Sequence, residues 1–113
     1  ILYEMIETLG HSCIKTCDGG KALDILEINS DIDIILTDYQ MPILNGAELI
    51  RCLRERNDYR PIILISGYEA AMINLDGPKP NKILGKPVRL KQLKDSLIEV
   101  MNEDSSDLAD FKL

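Results

Sequence analysis

Two segments of this chain are apolar without alternation. Ile32 to Leu36 has Ile32, Ile34, Ile35 and Leu36, and Pro61 to Ile65 is apolar throughout. Each has strand length, and a strand with one wet face would alternate apolar and polar residues. Continuous apolarity means burial on both faces, which parallel sheets covered by helices provide. Between and around these runs the apolar period changes to that of a helix. Ala22, Ile25 and Leu26 mark a helix over 21–29, and Leu49, Ile50 and Leu53 mark another over 46–56. Strands alternating with helices require crossover connections and hence an α/β fold with a parallel sheet.

The remaining segments extend the same alternation. Leu2, Met5, Ile6 and Leu9 predict a buried helical stripe over 1–9, stopped by Gly10. Residues 12–17 read as a short strand on β-branched Ile14 and Thr16, and Asp18-Gly19-Gly20 as a turn. Lys82 to Leu84 reads as a further strand. Gly77, Pro78 and Pro80 make the stretch before it short or irregular as a helix. A closing helix from Leu90 to about Asn102 would turn Leu90, Leu93, Leu97, Ile98 and Met101 inward. The acidic, Ser-rich stretch 103–113 reads as a frayed tail or linker. The expected organisation is one domain over 1–102 followed by that tail.

Composition narrows the function classes. With 113 residues the chain suits one domain. A formal net charge of −6, and basic residues (Arg51, Arg54, Arg56) interleaved with Glu55, argue against direct nucleic-acid binding. No apolar run reaches the roughly 18 residues of a membrane span, so no membrane contact is expected. The three cysteines, Cys13, Cys17 and Cys52, form no close pairs and give no disulfide framework. They read as ordinary thiols of a reducing cytoplasm. His11, the single histidine, stands between a helix stop and a strand with no acidic neighbour at helical spacing. Gly19-Gly20-Lys21 lacks the spacing of a phosphate-binding loop and reads as a turn.

In open parallel sheets the ligand crevice lies beyond the carboxyl ends of the strands. Asp38, Ser66 and Lys86 each follow an expected strand. Singly they read as a cap, a turn residue and a solvated charge. Together they suit phosphoryl transfer: a carboxylate nucleophile, a hydroxyl donor and a cation to neutralise the transferred group.

These residues carry a family resemblance. Leu36-Thr37-Asp38-Tyr39-Gln40-Met41-Pro42-Ile43-Leu44-Asn45-Gly46 resembles the phosphorylation-site signature of response-regulator receiver domains in two-component signalling. Pro61 to Gly67 is similar to that family's fourth strand with its switch hydroxyl, Lys86-Pro87 to its lysine–proline pair, and Asp18 to Leu23 to the turn opening its second helix. The Ser66-Gly67-Tyr68 wording is similar to receivers of hybrid sensor histidine kinases. The resemblance implies a flavodoxin-like doubly wound sheet of strand order 2-1-3-4-5. Here four strands and about five helices would be visible, the fourth helix short or irregular. It implies that Asp38 takes a phosphoryl group from a phosphohistidine of a histidine kinase or phosphotransfer protein. Ser66 and Lys86 would contact the phosphoryl oxygens, and Mg²⁺ would sit on Asp38 and the Gln40 carbonyl. Two departures matter. The family's first strand, with the acidic pair that holds Mg²⁺, is not in the sequence, which is expected to continue upstream of Ile1 in the natural protein. Ile83 stands where the family often has an aromatic switch residue. The open central slot would be closed by residues 12–17 moving inward or by a second chain in a homodimer. The competing function is a pseudo-receiver, a phosphorylation-independent interaction module.

Overall fold

A computed structural model of the chain describes residues 2–16, 18–40, 43–67 and 77–112, with backbone alone at 2, 3 and 103–112. The elements are α1 (Leu2–Thr8), α2 (Gly19–Ile28), β1 (Ile35–Asp38), α3 (Gly46–Glu55), β2 (Ile62–Ser66), β3 (Lys82–Gly85) and α4 (Leu90–Lys112). The chain divides into two compact units, Lys15–Lys86 and a second made of Ile1–Ile14 with Pro87–Leu113.

The larger unit holds the sheet. Its strands lie in the order β1-β2-β3, all parallel. Ile35 pairs with Ile62 and Asp38 with Ile65; Ile63 pairs with Lys82 and Ser66 with Gly85. β2 is buried at every residue, as its continuous apolarity requires. Leu23, Leu26, Ile35, Leu49, Ile50, Leu53 and Ile62 form one core, joined by half-buried Ala22, Ile32, Leu44 and Cys52. Each such aliphatic side chain contributes about 1.5–3 kcal/mol on burial. α3 starts cleanly because Asn45 accepts from the Glu48 amide at 2.9 Å while Glu48 Oε1 accepts from the Asn45 amide at 3.0 Å.

Several expectations are corrected. Residues 12–16 form no strand, and Ile14 is 57% exposed. Two β-branched residues give propensity, but a strand exists only as a member of a hydrogen-bonded ladder, and among the described residues the ladders join β1, β2 and β3 alone. The described sheet therefore has three strands rather than four, and residues 12–16 do not close the slot beside β1. β1 itself starts at Ile35, not Ile32, and the register of β1 with β2 begins at Ile62. Gly19 and Gly20 are not a turn but the first residues of α2, whose N-cap is Asp18: its Oδ1 accepts from Gly20 at 2.7 Å and Lys21 at 3.2 Å. The irregular helix expected before β3 falls largely on residues 68–76, outside the described residues.

In the smaller unit, Met5, Ile6 and Leu9 are half-buried rather than buried; the Leu2 side chain lies outside the described residues. On α4 the buried stripe is Leu93, Ser96, Leu97 and Val100, while Leu90, Ile98 and Met101 are exposed. The helical period selects one narrow stripe: Ile98 and Met101 stand off it, while Leu90 is in line with it but is the first residue of the helix. The backbone stays helical to Lys112, through the stretch expected to fray. No described helix is long and apolar enough to cross a membrane.

Candidate functional site

Parallel pairing puts the carboxyl ends of β1, β2 and β3 on one edge of the sheet, and each end carries one of the three singled-out residues. Asp38 closes β1, Ser66 closes β2, and Lys86 follows β3 directly. The Lys86 Nζ lies 2.5 Å from Asp38 Oδ2, an ion pair across the end of the middle strand. The Lys86 amide also donates to the Ser66 carbonyl at 2.7 Å, which extends the β2–β3 ladder by one step and fixes where the lysine leaves the sheet. Ser66 is buried at 6% exposure, whereas the Asp38 and Lys86 side chains are 38% and 49% exposed. An ion pair this wet contributes about 0–1 kcal/mol to stability. Its interest is chemical: a carboxylate open to an incoming group, with a cation already beside it.

The loop after Asp38 is shaped by close approaches. The Gln40 amide reaches Asp38 Oδ1 at 3.4 Å. The Tyr39 amide donates to the Ile65 carbonyl at 2.9 Å, and the Gly46 amide to the Tyr39 carbonyl at 2.7 Å. Gly46 is needed there. A Cβ on it would stand 2.5 Å from Leu64 Cδ1 and 2.9 Å from the Asp38 carbonyl oxygen. Gly19 is needed likewise, since its Cβ would meet Leu44 Cβ and the Leu44 carbonyl at 2.7 Å. Met41 and Pro42 lie outside the described residues.

The opposite, amino edge of the sheet carries an arginine network that the sequence did not announce. Arg60 donates to the carbonyls of Leu26 (2.6 Å) and Asn29 (2.9 Å) at the end of α2, and to Asp58 Oδ1 at 3.1 Å. Arg54 donates to the carbonyls of Asp58 (2.8 Å) and Arg60 (3.0 Å), and its guanidinium lies 6.0 Å from the centroid of the Tyr59 ring. Burial lowers the Arg54 pKa, opposed by Asp58 and Tyr59. Asn81 accepts from the Ile62 amide at 3.0 Å and donates its own amide to the Ile62 carbonyl at 2.8 Å, tying the start of β2 to the residue before β3. No spacing rule finds the Arg60 bonds to Leu26 and Asn29, because their acceptors are backbone carbonyls distant in sequence.

A parallel sheet with a carboxylate, a hydroxyl and a lysine gathered at its carboxyl edge defines a class by its architecture, the open parallel sheets of flavodoxin-like fold. The comparisons name it more closely: the family described as "Response regulator receiver domain" matches residues 1–98, and the chain belongs to that family. It is 30% identical over 112 residues to the chemotaxis protein CheY homologue of Campylobacter jejuni, covering 95% of this chain and 86% of that protein. It is 31% identical over 101 residues to the sensor kinase CckA of Brucella abortus, covering 87% of this chain and 11% of that much longer protein. Among solved structures, the receiver domain of the sensor histidine kinase PA1611 of Pseudomonas aeruginosa superposes with a TM-score of 0.79 at 26% identity, covering 89% of this chain and 85% of that one. Its crystal structure has a magnesium ion coordinated in the active-site cleft. The fold is thus a flavodoxin-like receiver fold, and the chain is a receiver domain of two-component signalling.

Proposed function

We infer that this receiver accepts a phosphoryl group on Asp38 from a phosphohistidine protein and changes its partner preference as a result. The observation that carries the reading is the Asp38–Lys86 pair, 2.5 Å apart at the carboxyl edge of a parallel sheet beside Ser66. An Asp38 oxygen attacks phosphorus while the bond from phosphorus to the imidazole nitrogen breaks, its electron pair staying on the ring. The product is an aspartyl phosphate. Lys86 then exchanges its carboxylate partner for a phosphoryl oxygen, and the Ser66 hydroxyl donates to another. Loss of the resting ion pair and gain of the new contacts are the local change that partners read.

Magnesium would find one carboxylate, Asp38, and the Gln40 carbonyl at this edge. Among the described residues no group of three or more His, Cys, Asp or Glu side chains gathers to hold a metal. Mg²⁺ is commonly held by one or two carboxylates together with substrate phosphate oxygens, so this donor set suits the ion when the phosphoryl group is present. Bound there it would neutralise phosphoryl charge.

The partners are a histidine kinase or a histidine phosphotransfer protein, in the cytoplasm. Neither nucleic acid nor membrane is a partner of this domain, and a homodimer through the edge of β1 that carries no strand among the described residues is a further expectation. The test is labelling of the full-length protein by acetyl phosphate. Acid-labile label on the unsubstituted protein and none on Asp38→Asn supports the reading. Label of equal strength on both assigns the acceptor elsewhere, and no label on either, with partner binding retained, marks a phosphorylation-independent module.

A further inference from the structure

The loop from β1 to α3 contains a backbone conformation that its residue type disfavours. Ile43 has φ 73°, in the left-handed region where a branched Cβ crowds the backbone. Asn57, also at positive φ, is of a type that tolerates it. Ile43 gains little burial in return, since it is 76% exposed. Its neighbour Leu44 is half-buried against the core and packs where Gly19 lacks a side chain. The loop is therefore held on the first turn of α2 through Leu44, and Ile43 is turned outward above Gly20, whose added Cβ would have Ile43 Cγ2 at 3.6 Å. Strain kept in the loop that leaves the end of β1 is not explained by packing within the domain.

Ile43 lies on the loop that leaves the carboxyl end of β1, a short way beyond Asp38. A phosphoryl donor must reach the same end of the sheet. A small donor needs only the carboxylate. A protein donor brings a surface that has to cover the rim of the crevice, and there an exposed isoleucine supplies apolar contact that a small molecule does not use. Resting on the phosphoacceptor reading above, we propose that Ile43 is a specificity-determining contact that buries against an apolar position on the phosphohistidine-bearing protein and sets the rate of transfer from such donors, without taking part in the chemistry at Asp38.

The experiment compares two donors on the full-length protein: acetyl phosphate, and a purified histidine phosphotransfer protein, phosphorylated beforehand, chosen from a panel by its ability to label the unsubstituted chain. Ile43→Asn fits the positive φ and removes the apolar contact; Ile43→Val keeps both the strain and the apolar branch. Ile43→Asn should take label from acetyl phosphate at the unsubstituted rate and from the phosphotransfer protein about tenfold more slowly, while Ile43→Val stays close to the unsubstituted protein with both. Ile43→Gly, which also fits the backbone, should behave as Ile43→Asn and guards against a folding defect peculiar to asparagine. Equal transfer from the phosphotransfer protein to Ile43→Asn and to the unsubstituted chain overturns the proposal. So does equal slowing with both donors, which would make Ile43 a residue that shapes the loop. An unsubstituted chain labelled by acetyl phosphate but by no phosphohistidine protein overturns the docking role alone. A chain labelled by neither overturns the phosphoacceptor reading and this inference with it.

Discussion

The two edges of the three-stranded sheet are built to opposite specifications. At the amino edge, Arg60 and Arg54 spend their donors on four backbone carbonyls and on Asp58, and Asn81 locks β2 to the segment entering β3. These bonds are partly buried, and they satisfy carbonyls at a helix end that would otherwise lack partners. At the carboxyl edge the charged groups meet in one wet ion pair, Asp38 with Lys86, both more than a third exposed. The first edge holds the chain in shape. The second leaves the proposed phosphoacceptor accessible, since a carboxylate locked by several short hydrogen bonds would be a poor nucleophile. Among the described residues the arginine network thus stands at the edge away from the proposed site.

The sharpest way to break this contrast is at Asp38. Asp38→Asn should lower phosphoryl labelling at least about a thousandfold, since the amide is no nucleophile, an effect equivalent to some 4 kcal/mol in barrier. Its urea-unfolding midpoint should stay near that of the unsubstituted protein, because the lost ion pair is solvent-screened. Arg60→Ala should show the reverse pattern. Stripping the Leu26 and Asn29 carbonyls and Asp58 of their donor should cost about 2–3 kcal/mol in urea unfolding, with labelling by acetyl phosphate unchanged below the transition. Asn45→Ala removes the capping box of α3 and should cost about 1 kcal/mol, read in the same titration. The smallest effect is expected from Lys86→Ala, at most about 0.5 kcal/mol in stability. It should leave labelling measurable while abolishing the phosphorylation-dependent change in partner binding, assayed by comparing phosphorylated and unphosphorylated protein. A loss above 2 kcal/mol for Lys86→Ala, or a labelling defect in Arg60→Ala, would mean that the two edges do not divide the work in this way.

What could be read from the sequence follows the range of the forces involved. β2 was legible because burial on both faces writes itself into consecutive residues, and β1, half-buried at alternate residues, because the run of Ile34, Ile35 and Leu36 leading into it is apolar. So was the stripe Leu49, Ile50 and Leu53 of α3. The placement of Asp38, Ser66 and Lys86 at strand ends followed from strand boundaries alone. The segment 12–16 was misread because strand identity depends on a hydrogen-bonding neighbour, which no local pattern encodes. On α4, Ile98 and Met101 are apolar residues off the buried stripe and Leu90 opens the helix, and apolarity by itself does not tell which side of a helix is covered. Arg60 was invisible for the same reason as the strand: its acceptors on α2 are carbonyls 34 and 31 residues away. The positive φ of Ile43 runs against residue preference, so the sequence pointed away from it.

The bare Cα of Gly46 has a consequence for how sequence variation can be absorbed. At its start α3 touches the backbone of Asp38 and Tyr39 with no side chain in between, and its first amide is bonded to the Tyr39 carbonyl. Near its other end Arg54 binds the carbonyls of Asp58 and Arg60. A helix gripped in both places cannot slide or be lengthened by a residue without releasing one grip. Substitutions among Leu49, Ile50 and Leu53 can be met by repacking of neighbours, whereas a residue added within α3 has to release one of the two grips. The helix after Asp38 is therefore free to vary in its core side chains and closed to change in its length.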